Sequence, residues 1–391
     1  MADTAPIIPA EERQENFNAV DKKAEALAEQ IRKSKHFVVF TGAGGIPDFR
    51  GPDGVWTRMA QGRQRTTVNT LQALPTPTHM ALVELQNQGL LKYLISQNCD
   101  ALHRKSGILP DKISELHGNN NREYCKDCGK EYLRDFRAVA SYEKTVYDHR
   151  TGRKCAQCGG VLLDSITNFG EALFEEPLKL ARSHAKKADL CLVLGSSLTV
   201  SPANGIPEIV GSRKGSKLII CNLQDTPIDG LADQRIYSKA DELMVRVMAK
   251  LDIPIPPFIL RRRLTIQMET TGNERHHLKI CGVDVDGTPA TFLRSVKLEQ
   301  YSRRPARTEP FTISFRSDLE PGAELKLELE FIGNYGEPNL EIVYEYTGEV
   351  GAGTLYLLEY NPQSGEWKTE RQVGRSLDED SGRAKRGRTL G

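Results

Sequence analysis

At 391 residues the chain has room for two or three domains of about 150 residues each and a sizeable buried core. Lysine plus arginine number 53 against 52 acidic residues, and the formal net charge of +1 excludes a surface-wide electrostatic grip on nucleic acid or acidic lipid. Apolar runs such as Leu190–Leu194 are far shorter than the roughly 18 residues of a membrane span, and residues 1–13 lack a basic-then-apolar leader, so a soluble, unexported protein is expected.

Residues 1–20 mix Pro6, Pro9, charge and alanine without periodicity and are expected to be disordered. Behind Asp21, Ala24, Leu27, Ala28 and Ile31 recur at helical spacing and open the first ordered domain, residues 21–257. Within it, short β-branched runs alternate with helical patterns. The runs are Phe37–Phe40, Tyr93–Ser96, Leu190–Leu194 and Leu218–Ile220, unbroken by polar residues as suits parallel strands buried on both faces. A helix is predicted from Thr78 to the glycine stop at Gly89 and another from Asp241 to Lys250. The alternation implies an α/β fold, a Rossmann-like doubly wound parallel sheet.

Pro254, Pro256 and Pro257 can continue neither a helix nor a central strand, so a boundary falls at Phe258. Beyond it the period becomes two: Leu264, Ile266, Met268; Phe311, Ile313, Phe315; Leu325, Leu327, Leu329, Phe331; Leu340, Ile342, Tyr344, Tyr346. With turns at Asp286-Gly287 and Pro321-Gly322, this predicts a C-terminal β-sandwich-like domain over residues 258–375. Residues 376–391, a basic tail with Arg383, Lys385, Arg386 and Arg388, are expected to be disordered.

In an open parallel sheet, ligands bind beyond the carboxyl ends of the strands. The four apolar runs are followed by Thr41-Gly42-Ala43-Gly44-Gly45, by Gln97-Asn98-Cys99-Asp100, by Gly195-Ser196-Ser197 and by Cys221-Asn222. Glycines admit a pyrophosphate to the backbone N–H groups, and the polar side chains suit ribose hydroxyls and amides. One glycine after a strand is commonly just a turn; four such clusters describe a dinucleotide crevice. The glycine loop alone is a weak signal, because Gly42-x-Gly44-x-x-Pro47 lacks the third glycine of the usual fingerprint.

Eight cysteines are too few for a disulfide scaffold in a chain this long. Cys125-x-x-Cys128 and Cys155-x-x-Cys158, with 26 residues between the pairs, can supply four thiolates to one tetrahedral zinc, expected within a lobe over about residues 120–165. Four sulfur ligands leave no open coordination position, so this zinc is structural. The alternative, unligated core cysteines, fits poorly with the glycine-rich, charged context, and mixed charge at Lys126, Asp127, Lys130 and Glu131 argues against a nucleic-acid grip. Cys191 and Cys221 suit small strand hydrophobes. For a general base near neutral pH, His117 and His103 compete, and for either one a purely structural role is the bland alternative.

Gly42-Ala43-Gly44, Ile46-Pro47-Asp48-Phe49-Arg50-Gly51-Pro52, Gly54-Val55-Trp56, Gln97-Asn98-x-Asp100-x-Leu102-His103, Leu116-His117-Gly118-Asn119, the four cysteines, Phe169-Gly170-Glu171, Gly195-Ser196-Ser197 and Asn222-Leu223 follow one another in an order that resembles the sirtuins, NAD-dependent protein lysine deacylases. The resemblance covers about residues 20–256, and Tyr132–Asp135, Asn222–Pro227 and Ile253–Pro257 look like the class IV branch, chiefly nuclear chromatin enzymes. It implies that His117 is the general base. Gly42, Ala43 and Gly44, then Asp48, Phe49, Arg50 and Trp56, would belong to the cofactor loop. Gln97, Asn98, Cys99 and Asp100 would face the nicotinamide ribose and carboxamide, and Gly195, Ser196, Ser197, Asn222, Leu223, Gln224 and Ala240 the adenosine half. Phe169, Gly170 and Glu171 would border the acyl-lysine tunnel. The partners so implied are acylated lysines of nuclear proteins, histones among them, with chromatin association and with neither membrane nor sequence-specific nucleic-acid binding. The chain departs from the family pattern in lacking five residues between Gly44 and Gly45, in Cys99 where valine or isoleucine is usual, and in Ala101 where glycine is usual. The shortened loop supports an alternative, a catalytically impaired chromatin scaffold. An NAD-linked oxidoreductase and mono-ADP-ribosyl transfer share the cofactor and stay open on the residues alone.

Overall fold

The computed structural model describes residues 11–42, 70–141, 147–168, 170–271, 274–348 and 353–372. The chain divides into two compact units, one built on residues up to Pro257 and the other on Phe258 onward together with the short segments 134–136 and 154–160.

The first unit opens on α1 (Phe17–Lys33), where Asn16 caps the helix by accepting the Ala19 N–H and Val20, Ala24, Leu27, Ala28 and Ile31 face inward. The helix therefore starts ahead of Asp21. The disorder expected over residues 1–20 is corrected for residues 11–20, because the Arg13 N–H donates to Leu223 O and the Glu15 N–H to Tyr237 O at 2.8 Å. Composition does not register such backbone pairing.

Six parallel strands form the central sheet: β1 (Phe37–Thr41), β2 (Leu91–Ser96), β3 (Ile113–Glu115), β8 (Leu190–Leu194), β9 (Lys217–Cys221) and β10 (Gln234–Ile236), in the order β10-β9-β8-β1-β2-β3. The chain moves outward from β1 through β2 to β3 and then returns to β8 on the other side. The switch point of the topology thus lies between β1 and β8. Alternate side chains of β1 serve two cores. Phe37 and Val39 pack on one face with residues of α1, of α2 (Pro77–Asn87) and of α6 (Ala240–Leu251). Val38 and Phe40 pack on the other with residues of α4 (Glu175–Lys187) and α5 (Gly205–Gly211). Burial on both faces explains why these strands read as continuous apolar runs.

Between β3 and α4 a small antiparallel sheet, in the order β5-β4-β7-β6, is made from β4 (Arg122–Cys125), β5 (Glu131–Leu133), β6 (Arg150–Lys154) and β7 (Val161–Asp164). The second unit carries a five-stranded antiparallel sheet from β11 (Leu260–Thr271), β12 (Arg275–Val283), β14 (Phe311–Arg316), β17 (Gly353–Asn361) and β18 (Glu366–Gln372), in the order β14-β12-β11-β17-β18. A three-stranded sheet of β13 (Leu293–Leu298), β15 (Glu324–Phe331) and β16 (Leu340–Glu345) shares its core, which includes Leu264, Ile266, Phe311, Leu327 and Tyr344. The fold is the expected one, a Rossmann-like parallel sheet with a small cysteine-bearing lobe and a C-terminal β-sandwich.

Candidate active site and metal centre

The tips of β1 and β8 are drawn together at the switch point. The Gly42 N–H donates to Leu194 O and the Gly195 N–H to Cys221 O, both at 2.9 Å. A Cβ on Gly42 would lie 2.6 Å from Gly195 O and 2.8 Å from Ser196 Cα, so only glycine allows this approach. Gly195 itself has φ +60. Beside them the Gln97 N–H donates to Thr41 O at 2.9 Å, and Gln97 Nε2 donates to Ser196 Oγ at 2.8 Å, fastening the β2 tip to the β8 tip. The Asn98 N–H reaches Ser96 Oγ at 3.0 Å. Asp100 Oδ1 accepts the Leu102 N–H at 2.8 Å and so starts α3 (Leu102–Ser106) from Ala101, whose φ of +68 is the reason glycine suits that position. Asn222 Nδ2 donates to Gln224 O at 2.8 Å, the Leu223 carbonyl is taken by the Arg13 N–H, and Ser197 Oγ lies 3.0 Å from Thr199 Oγ1. Ala240 begins α6 and packs against the core on the α1 face.

His117 follows β3 at the same end of the sheet. Its Nδ1 lies 3.1 Å from Gln97 O; a carbonyl only accepts, so Nδ1 carries the proton and Nε2 keeps its lone pair. Burial lowers the ring's pKa from 6.5 against the opposing effect of the Gln97 carbonyl, which leaves the imidazole neutral and basic near pH 7. The competing histidine differs: His103 is buried, has Nε2 2.9 Å from Thr41 Oγ1, and is held well below 6.5 by desolvation and by His79. Cys99 contributes its thiol to His117 O at 3.3 Å, and burial, aided by Asp100 and Glu115, pushes that thiol up to about 12, so it is no nucleophile.

Around His117 the backbone is closely determined. Gly118 has φ +81 and a Cβ there would sit 1.7 Å from Ser165 O. The Asn119 N–H donates to Ser165 Oγ at 3.1 Å, and the Thr167 N–H donates to His117 O at 3.1 Å. Beneath them Glu115 accepts from Asn119 Nδ2 at 2.7 Å and from Arg122 at 3.3 Å, with Arg104 at 3.8 Å. Burial outweighs both guanidinium groups, so the Glu115 carboxyl is pushed up. Sequence reasoning missed Ser165 and this buried carboxylate, which stands between Ile113 and Leu116 with Ser114 beside it and so gave no apolar run to mark it.

The four sulfurs of Cys125, Cys128, Cys155 and Cys158 lie within 4.8 Å of one another. Tetrahedral Zn–S bonds of 2.3 Å place sulfurs about 3.8 Å apart, so the donor set and its spacing fit zinc. The two pairs have matching turns. The Gly129 N–H donates to Cys125 O at 3.0 Å and the Gly159 N–H to Cys155 O at 2.8 Å, with φ of +73 and +74 at the two glycines. Cys191 and Cys221 are buried strand residues whose thiols are pushed up to about 12 by desolvation.

Ala43, Gly44, Asp48, Phe49, Arg50, Trp56 and Phe169 lie outside the described residues, as does the shortened stretch between Gly44 and Gly45. Gly170, at φ +88, and Glu171 are described, and the Glu171 N–H donates to Asn168 O at 3.1 Å, one residue beyond Thr167, whose N–H is tied to His117 O.

Comparison with known proteins bears on this site. The Sir2 family profile matches residues 63–202. The NAD-dependent protein deacetylase SRT1 of Arabidopsis thaliana is 38% identical over 345 residues, spanning 79% of this chain and 72% of that protein. The NAD-dependent protein deacetylase sirtuin-7 of Homo sapiens is 42% identical over 250 residues, spanning 60% of this chain and 62% of that protein. A solved structure of Sir2 with a p53 peptide and NAD+ is 32% identical and covers 57% of this chain and 97% of its own, at a TM-score of 0.44.

Proposed function

Since the chain belongs to the Sir2 family, we propose that it is an NAD-dependent protein lysine deacetylase whose targets are acylated lysines of nuclear proteins, histones among them. The observation that carries the assignment is a neutral imidazole, with Nε2 free of protein partners among the described residues, at the end of the sheet where glycine tips meet. The close approach of the β1 and β8 tips that Gly42 allows suits a backbone cradle for the dinucleotide.

NAD, when bound, supplies a ribose carbon bearing nicotinamide as leaving group, so that the acyl group of the lysine amide ends on ADP-ribose and free lysine and nicotinamide depart, with one water consumed. His117 Nε2 takes a proton from a ribose hydroxyl, and the Gln97 carbonyl holds the ring in the tautomer that can do so. Asn98 and Asp100 orient the nicotinamide-ribose end. Ser196, Ser197, Asn222, Leu223 and Gln224 hold the adenosine half, with Ala240 beside it. Gly170 and Glu171 border the acyl-lysine. The four cysteines hold a structural zinc and take no part in the chemistry.

The nuclear assignment rests on the class IV resemblance and on the sirtuin-7 relatives. The basic segment Arg261–Arg263 adds little, because Arg261 pairs with Glu359 at 2.8 Å and Arg262 with Asp135 at 3.0 Å. Purified protein, NAD and an acetyl-lysine histone peptide should yield nicotinamide and O-acetyl-ADP-ribose, without NADH absorbance. Turnover no higher than that of His117→Ala overturns the enzyme assignment. It leaves the impaired scaffold, which the five-residue deficit after Gly44 favours.

A further inference from the structure

A second titratable cluster lies away from the strand tips. His149 stands just ahead of β6 and bridges two carboxylates, with Nδ1 2.8 Å from Asp164 Oδ1 and Nε2 2.8 Å from Glu171 Oε1. Asp164 is fully buried at the end of β7, where it also accepts the Ala140 N–H at 2.7 Å and the Ile166 N–H at 3.1 Å. Glu171 closes a turn on itself: its Oε2 accepts the Asn168 N–H at 2.6 Å, and its own N–H donates to Asn168 O at 3.1 Å. Both ring nitrogens can donate at once only in the imidazolium form. One ring thus ties Asp164, at the end of β7, to Glu171. Residues between them are fastened to the base, through Ser165 against Gly118 and through the Thr167 N–H on His117 O.

We propose that His149, doubly protonated, is the positioning residue that holds Asp164–Asn168 and Gly170-Glu171 in the form that receives the acyl-lysine chain, and that its deprotonation weakens peptide binding. The proposal rests on the reading above that Gly170 and Glu171 border the substrate. Burial disfavours the charged ring, yet the hydrogen bonds and attraction of Glu171 and Asp164 outweigh it and raise its pKa above 6.5. The other charges nearby are spoken for. Asp148 and Arg150, on the same segment, pair with each other at 2.7 Å; Glu123 of β4, opposite Asp164 in the sheet, pairs with Arg153 of β6 at 2.8 Å; and Tyr124 of β4, whose phenol is pushed up chiefly by burial, also feels the charge of Asp164. Because the folded pKa is raised, the clamp is complete below pH 6.5 and is lost as pH rises through the raised value.

The test measures kcat and the KM values for acetyl-lysine peptide and NAD from about pH 5.5 to 8.5, the range in which histidines titrate. In the wild type the peptide KM is lowest at acid pH and climbs as the ring loses its proton, while the NAD KM is flat. His149→Gln should raise the peptide KM about tenfold or more at acid pH and remove its pH dependence, the scale of a lost charge-assisted hydrogen bond. His149→Arg, permanently charged, should keep a low peptide KM at every pH. An arginine variant with the wild-type profile, or a glutamine variant with unchanged peptide KM, overturns the proposal. NMR titration of His149 in the wild type and in Glu171→Gln needs no turnover. A pKa above 6.5 that falls in the variant supports the clamp even if the deacetylase reading fails, and a wild-type pKa at or below 6.5 overturns the clamp even if that reading stands.

Discussion

Replacing Gly118 with alanine tests whether the base is placed by backbone packing. The added methyl would lie 1.7 Å from Ser165 O, 2.5 Å from its carbonyl carbon and 2.8 Å from Ile166 Cα, where real Cβ atoms stay beyond 3.0 Å. Relief requires the 165–166 backbone to retreat by about 1.3 Å, the gap between 1.7 and 3.0 Å. The left-handed φ of +81 costs an alanine a further ~1–2 kcal/mol. The retreat breaks the Asn119–Ser165 and Thr167–His117 hydrogen bonds, each worth about 1 kcal/mol. Stability should therefore fall by about 3 kcal/mol or more, a large part of what a domain has. Displacing the imidazole by about 1 Å should lower deacetylation on the order of a hundredfold. The control is Gly215→Ala: Gly215 has φ +87 but no atom within 4 Å of the added methyl, so only the conformational cost of ~1–2 kcal/mol applies and turnover should not change. Urea unfolding and nicotinamide release on both variants check this. If Gly118→Ala unfolds and turns over like Gly215→Ala, the packing argument is wrong.

Burial lowers the His117 pKa from 6.5, so the base is neutral above that lowered value and protonates only as pH falls through it; the acid limb of kcat/KM should lie below pH 6.5, and a limb above 6.5 would point to another base. Gln97→Ala removes the 2.8 Å link from Gln97 Nε2 to Ser196 Oγ. It should raise the NAD KM roughly fivefold, the scale of one hydrogen bond, with the peptide KM unchanged, as steady-state kinetics against each substrate will show. Metal analysis should find about one zinc per chain, and chelation or Cys155→Ser should melt the small sheet without altering the residual protein's NAD affinity; a stable metal-free protein with unchanged amide exchange in β4–β7 contradicts this.

In the parallel sheet the legible strands, β1, β2, β8 and β9, are those buried on both faces, where the side chain's type alone states its surroundings, and in the second unit β11, β14, β15 and β16 were legible from their period of two. β3 and β10 escaped notice: each is three residues long, and Glu115 and Arg235 interrupt any apolar run. β12 was hidden by His276, which is buried but fully partnered, with Nδ1 2.9 Å from Thr270 Oγ1 and Nε2 2.8 Å from Ser317 O. A polar residue satisfied by distant partners looks like a surface residue until those partners are known.

The same distinction runs through the site. The glycines at the strand tips were readable because a close approach demands glycine whatever else is present. The choice between His103 and His117 was legible only through the family resemblance and not from the residues alone, since both are single histidines after a strand and what separates them is the partner each meets. One ring spends Nε2 on the Thr41 hydroxyl inside the core; the other spends Nδ1 on the Gln97 carbonyl and leaves Nε2 without a partner among the described residues. His149 is the extreme case. In Asp148-His149-Arg150 it reads as solvated charge, and only carboxylates 15 and 22 residues away favour its charged form. A side chain's chemistry is thus readable from sequence where its own type suffices, and becomes readable from structure where a partner decides its protonation.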